Sequence, residues 1–305
     1  MRSFILIFSL ALVPSTSTAA PLSLYDWMGV APVIVAGRNH GTYGKYAEFT
    51  VEAVYRGEAA REIKVNVRQA NRDRDHFLYK EALRFEEGTS YVLLLAPPAT
   101  RDPAGRSNFE LVRGVRGARE IPLEGGGPFL NAVERFASLQ DQRDDRVTWR
   151  QLAEMLDETN PILIETALDQ FLKFQRGEPR LLGSLRPLLD HPAPELRERT
   201  ARLIGQVLLR NGEESIPDVG NLQNELVARA RRDDAIRVRV AAVQALDHLP
   251  RDTVQEILEE IARDDPDQSV RYAAEMLMYD REKREEQGDD GAAVLGRRPG
   301  SGTAN

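Results

Sequence analysis

The chain contains no cysteine. Disulfides, thiolate nucleophiles and cysteine-ligated metal sites are therefore excluded, and the fold must be held by apolar cores and polar pairing alone. Histidine is scarce as well. His40, His76, His191 and His248 are the only four, and none sits in a close pair such as HExxH, so no zinc site can be read from spacing. No G-x-S-x-G elbow offers an acyl-transfer serine. GTYGKY at 41–46 fails the spacing of a phosphate loop and precedes a strand pattern, which makes it a hairpin turn. A basic surface is missing too: the formal charge of −7 argues against general nucleic-acid binding.

Long apolar runs are absent except for FILIFSLALV at 4–13, which follows Arg2 and precedes Pro14 and STSTAA. A bilayer span needs about 20 apolar residues, so this run fits the core of a secretory signal, with cleavage expected after Ser17-Thr18-Ala19. On that reading residues 1–19 are removed and the mature chain carries a charge of −8. It is exported to a periplasm or beyond, with no cysteine for an acyl anchor and no stable membrane insertion after cleavage. At the other end, residues 281–305 lose apolar periodicity and gather glycine and charge, the composition of a disordered tail. About 260 residues remain between, enough for one extended or two compact domains.

From 33 to 113 the apolar period is two or the run is continuous. VIVAG (33–37) reads as a short buried strand. YAEFTVEAVYRG (46–57) alternates around Ala47, Phe49, Val51, Ala53 and Tyr55. EIKVNVR supplies Ile63, Val65 and Val67, SYVLLLA (90–96) reads as a buried central strand, and SNFELVRG (107–114) follows a DPAG turn at 102–105. DHFLYKEALRF (75–85) has helical spacing with Asp75 as its cap. Three strands, a helix and two strands is the order of a five-stranded OB-like barrel over residues 20–123, whose closure hides exposed edges; an open sandwich is the alternative. NRDRDH (71–76) places Asn71, Asp73 and Asp75 as in a calcium loop. His76 stands where glycine is required and Ala82 where the closing glutamate belongs, so it reads as a solvated charged loop and no metal is expected.

APVIVAGR, YAEFTVEAVYRGE and FEEGTSYVLLLAP together resemble the netrin-like, tissue-inhibitor-of-metalloproteinase-type OB domains over about residues 31–122. The resemblance implies the barrel fold. In those inhibitors an N-terminal cysteine chelates the target's zinc, and without cysteine this chain cannot carry that chemistry over.

EGGGP at 124–128 opens a hinge and connecting helix (124–147), and from 129 onward every apolar pattern has the helical period. PFLNAVERFASLQ supplies Phe129, Leu130, Val133 and Phe136; TWRQLAEML has Thr148 and Gln151 at capping-box spacing; Asn160 before Pro161 reads as an N-cap with proline at the first helical position. Over 148–280 the chain repeats. Ile164, Arg197, Arg239 and Arg271 fall 33, 42 and 32 residues apart. Three residues later stand Ala167, Thr200, Ala242 and Ala274, and seven later Phe171, Ile204, Leu246 and Met278. An acidic turn residue precedes each: Asp157, Asp190, Asp233 and Asp264. A period in the thirties made of two amphipathic helices is the mark of an α-helical solenoid, so the class is α+β with two domains.

DHPAPELRERTARLIG and DDPDQSVRYAAEML resemble HEAT repeats of the short bacterial type, also called lyase-like HEAT repeats. The resemblance implies that Arg197, Arg239 and Arg271 pair with acidic turns of adjacent repeats. The same role follows from chemistry, since a guanidinium fork matches a carboxylate. Repetition along a rod is the reverse of a converging catalytic site, so no catalytic or cofactor residue is assigned.

A solenoid works by surface. Positions two, five and nine residues beyond the aligned one should form a stripe on the second helices: Thr166, Asp169 and Lys173; Arg199, Arg202 and Gln206; Ala241, Gln244 and His248; Ala273, Met276 and Asp280. An ordinary solvated face is the competing account of this stripe. The expected function is an exported, non-enzymatic scaffold that binds another protein or peptide, with no cofactor and no nucleic acid. Two other readings stand beside it: a netrin-like protease-inhibitor role for the barrel, and a lyase- or hydrolase-type enzyme suggested by the repeat family's name.

Overall fold

The computed structural model describes residues 23–68, 84–97, 108–112 and 114–286. A short helix α1 (Leu24–Met28), capped by the Ser23 hydroxyl, leads into the β part. There β1 (Val33–Tyr43) and β2 (Tyr46–Arg56) form a hairpin whose turn uses a left-handed Gly44. β3 (Glu62–Asn66), β4 (Ser90–Ala96) and β5 (Asn108–Leu111) follow. β2 and β3 pair antiparallel, β3 and β5 parallel, β5 and β4 antiparallel, and β4 returns antiparallel to β1. The five-stranded barrel is thus closed in the OB order, and the open sandwich is ruled out. A sixth strand beyond the five expected, β6 (Ala118–Glu120), pairs with Tyr91, Val92 and Leu93 of β4, beside the short β5 ladder at Leu95 and Ala96.

Why VIVAG and SYVLLLA are continuous rather than alternating is now visible. Val33, Val35, Leu93 and Leu95 fill the barrel with Phe49, Ile63 and Val65, while Ile34, Val92 and Leu94 face outward into a second core. Both faces of these strands are buried, so neither can be polar. The expected helix over 75–85, the 71–76 loop and the 102–105 turn lie outside the described residues, save that Phe85 reaches the barrel core. Its ring stands edge-on to Phe49 and Tyr91, 4.9 Å away in each case.

The outward core belongs to α1 and to α2 (Gly126–Gln140), whose Phe129, Ala132, Val133, Phe136 and Ala137 pack on it. It continues without a break into the helical half. Arg56, the last residue of β2, pins this joint. Its Nε donates to Asp141 at 2.9 Å, Nη1 to the carbonyls of Met28 and Ala31, and Nη2 to the Ala137 carbonyl and Gln140. The next residue must be glycine: Gly57 has φ +72°, and a Cβ there would lie 2.6 Å from the Pro32 carbonyl oxygen.

Four helix pairs follow. α3 (Asp145–Glu154) pairs with α4 (Pro161–Lys173), α5 (Leu182–Leu188) with α6 (Pro194–Asn211), α7 (Val219–Arg232) with α8 (Ile236–Leu246), and α9 (Arg251–Asp264) with α10 (Gln268–Glu286). Asn160 caps α4 as expected, accepting the Ile162 N–H at 3.1 Å with Pro161 in the first turn. Thr148 is not a cap, because α3 starts earlier, where Asp144 accepts the Arg146 N–H at 2.8 Å. Ala167, Thr200, Ala242 and Ala274 are all fully buried, and second helices stack on one another: α4 on α6, α6 on α8, α8 on α10.

α10 runs through Glu286, so residues 281–286, assigned to the tail by composition, are helical. Arg281 is the reason: its side chain is buried, and Nη2 donates to the carbonyls of Leu246, Asp247 and Leu249 at the end of α8. The far side of α10 differs from the helices before it. Counted from the aligned arginine, Ala201, Gly205 and Leu208 of α6 are buried, whereas Glu275, Tyr279 and Glu282 of α10 are exposed. The array therefore ends in a polar cap.

Candidate functional site: a groove across the second helices

The repeated arginines are internal. Arg197 holds Asp233 with Nε and Nη2, both at 2.8 Å, and Arg239 holds Asp265 in the same way at 3.0 and 3.2 Å. Nη1 of Arg197, Arg239 and Arg271 donates to the carbonyl six residues earlier, at 2.9, 2.8 and 2.7 Å. All three thus brace their own turns, and Arg197 and Arg239 also reach forward to the carboxylate of the following repeat, whereas Arg271, in the last helix pair, holds, among the described residues, its turn alone. Burial alone pushes the Asp233 carboxyl up, but the Arg197 fork and the Ala235 amide outweigh it and hold the carboxyl below its ordinary range. The hydrogen bonds that Arg197 donates to Asp233 in turn raise the pKa of Arg197.

Three of the four expected turn acids are not the paired ones. Asp157, Asp190 and Asp264 are exposed; Asp190 pairs with Arg229 and Asp264 with its neighbour Arg263. The interlocking position lies one residue later, at His191 and Asp265, and coincides with Asp233 itself. There the side chain also accepts the N–H two residues on: His191 Nδ1 from Ala193, Asp233 from Ala235, Asp265 from Asp267. Histidine suffices in the second repeat because the first carries Ile164 in place of an arginine. No cation reaches forward to it, and only the turn remains to be capped.

The expected stripe divides in three. Its first part is buried or spent: Thr166 is 3% exposed, Ala241 1%, Asp169 pairs with Arg199 at 2.7 Å, and Lys173 pairs with Asp26 of α1 at 2.9 Å. Arg199 also reaches Glu165 at 3.1 Å, which corrects the expectation that it stands ready for a partner. Its last part, Ala273, Met276 and Asp280, lies on α10, away from any described cavity; Ala273 is half-buried there, and the other two are exposed. The middle part converges. Arg202, Gln206, Gln244 and His248, with Ala241 beneath, line an open groove of about 730 Å³ over α4, α6 and α8.

Spacing did not find the rest of that lining: Leu172 and Gln175 from the end of α4, Leu209 and Arg210 from the end of α6, and the floor residues Gly205 and Ala245. Two signals were available. Glycine within RLIGQVL breaks helix propensity without breaking the helix, which implies close approach. A Cβ on Gly205 would lie 3.1 Å from Ala245 Cα. Leu209 is adjacent to the core residue Leu208 and so falls off the buried stripe; it is 56% exposed.

Electrostatically the groove is one-sided. Its lining holds two guanidiniums, three primary amides and one imidazole, and no carboxylate. Burial lowers the pKa of His248, and Arg284 and Arg281 lower it further against the opposing pull of Asp247. The imidazole is therefore neutral near pH 7. A smaller cavity of about 410 Å³ beside Trp149 is different in kind. There Arg176 covers the indole ring at 4.3 Å, Lys173 occupies Asp26, and Asp145 adds a carboxylate of the kind the groove lacks. In the lining of the groove His248 stands without a carboxylate, hydroxyl or second imidazole. Among the described residues no group of three His, Asp or Glu side chains could hold a metal ion, and no helix is long and apolar enough to cross a membrane.

No curated protein and no solved structure matches the chain. Residues 184–278, from α5 into α10, match the family model of the HEAT repeats. With paired helices, buried small residues and an arginine-to-aspartate interlock in successive copies, the helical half of this chain is an α-solenoid whose residues 184–278 are HEAT repeats.

Proposed function

We propose that the chain is an exported, non-enzymatic scaffold that binds a segment of another protein in the groove over α4, α6 and α8. The observation that carries this reading is the convergence of Arg202, Gln206, Gln244 and His248 over a floor of small residues, in a cavity too open to exclude water and without a paired nucleophile and base. HEAT repeats are helical repeats of the kind that build protein-interaction scaffolds, and a solenoid offers a long surface rather than one enclosed pocket. The barrel covers the solenoid's first end through α1, α2 and Arg56, which leaves the second helices of the middle repeats as the open surface. Export rests on the apolar run at 4–13 with its flanking Arg2 and Pro14.

Site-specific photocrosslinking tests the groove. Benzoylphenylalanine at Gln206 or Gln244, in the full chain within its native compartment, should give a discrete adduct that maps to one peptide of a second protein. The same group at exposed Glu259 on α9 should give none. Equal labelling from all three positions, or none from the groove, ends this reading.

A further inference from the structure

We propose that the groove receives an extended acidic segment of its partner, running along α6 with two carboxylates about two helix turns apart. The proposal rests on the reading of the groove given above and adds the chemistry of what fills it.

Charge points first to an acid. The nearby carboxylates are already engaged outside the groove, Asp169 by Arg199 and Glu198 by Arg202 at 2.8 Å. Arg202 gives Glu198 only one guanidinium edge and its side chain remains 54% exposed. Arg210, also exposed, donates from Nη1 to the Gln175 carbonyl, and its remaining donors are free for an incoming acceptor. In a chain of net charge −7, a cavity whose only charged lining groups are two guanidiniums is complementary to an anion. Screening over about 8 Å at physiological salt lets this local surface outweigh the distant acidic residues.

Shape points to an extended backbone. Gly205, Ala241 and Ala245 present no side chain that would hold a peptide away, while the Gln206 and Gln244 amides can donate to main-chain carbonyls. Arg202 and Arg210 are eight residues apart on one helix, about 12 Å along its axis. An extended chain covers that distance in about four residues. Carboxylates four positions apart can then meet both guanidiniums, with short apolar side chains between them against Leu209.

Fluorescence polarisation with the full chain tests this. The probes are three labelled peptides of one length: a pair of glutamates four apart flanking Leu-Ala-Val, its glutamine counterpart and its lysine counterpart. The glutamate peptide should bind at least about tenfold more tightly than the other two, a difference of about 1.4 kcal/mol, and should weaken with salt. Arg202→Gln with Arg210→Gln, checked for folding by circular dichroism, should remove that preference, and Arg180→Gln outside the groove should not. Equal binding of the glutamate and glutamine peptides, or preference for lysine, overturns the acidic occupant while the crosslinks at 206 and 244 still decide the groove. Binding that emerges only after Asp289→Asn with Asp290→Asn assigns the groove to the chain's own C-terminal segment and overturns a partner's peptide. No binding of any probe by either protein also overturns the proposal.

Discussion

The side chains that look most chemical are the most structural. Arg197 and Asp233 are 8% and 1% exposed at their side chains, so neither charge survives without the other. Arg197→Met should therefore cost about 3 kcal/mol, near the lower end for a broken buried pair, because Arg229 stands 3.6 Å from Asp233 and screens part of the loss. Arg197→Met with Asp233→Asn should recover most of it, since asparagine still caps the Ala235 N–H; urea unfolding of the three proteins measures this. The acid limb gives a second check. The folded-state pKa of Asp233 is depressed, so its contribution is complete above about pH 4 and is lost as pH falls through the lower folded value. The advantage of the wild type over the double variant should shrink on acidification and not on alkalinisation. At this scale the sequence disclosed the arginines through their period, but it placed the turn position one residue early in two repeats, at Asp190 for His191 and at Asp264 for Asp265. Two adjacent residues at a turn, such as Asp264 and Asp265, look alike in composition and differ only in which side chain turns inward.

Between helices the controlling variable is distance, and Gly205 sets it. α6 and α8 approach until Gly205 faces the backbone of Ala245, which also lays down the floor of the groove. Gly205→Leu should push the two helices apart at a cost of about 1–3 kcal/mol, in the range for overpacking. The glutamate-peptide affinity should fall with it even though neither arginine is touched; thermal unfolding and the polarisation assay together check the pair of effects. Helix identity and the repeat period were legible in the sequence because burial imposes a 3.6-residue pattern. The groove was legible only in part. Offsets from an aligned arginine find one row of each helix, and they returned Arg202, Gln206, Gln244 and His248. Leu172, Leu209 and Arg210 enter from helix ends, where the lengths of α4 and α6 decide what reaches the cavity. The same offsets placed Thr166 outward, but there, as at buried Ala241, the position two residues past the aligned one faces inward, and Asp26 of α1 engages Lys173 at that end of the stripe.

For the molecule as a whole, a single apolar core passes from the outer face of β1 and β4 through α2 into the repeats. The barrel and the solenoid should accordingly unfold together. Arg56→Met keeps the aliphatic stem but removes five hydrogen bonds that converge on the joint from α1 and α2. It should lower stability by about 2–4 kcal/mol, as expected for charge-assisted bonds whose buried acceptors are left unpaired. It should also split one calorimetric transition into two, with the calorimetric enthalpy exceeding the van't Hoff value. The two-part architecture was readable from the change in apolar period near 125, and the barrel order from the run of strands. Their mechanical union was not, because it depends on one arginine whose five acceptors are distributed over more than a hundred positions of chain.

The forward-reaching arginines give the array a direction, and the polar last helix gives it an end. The repeat of α7 and α8 accepts a fork through Asp233 and extends one through Arg239, so a unit inserted beside it must do both. The first unit, with Ile164, offers no fork, and the last, with Glu275, Tyr279 and Glu282, offers no surface to build on. Changes in length are thereby confined to the interior: the chain can gain or lose a middle unit and keep both closures, whereas copying either terminal unit inward would place a missing cation or a buried glutamate in the stack. The groove starts at the end of α4 and runs over α6 and α8 of the middle units, so a change in their number would change how long a segment it can hold.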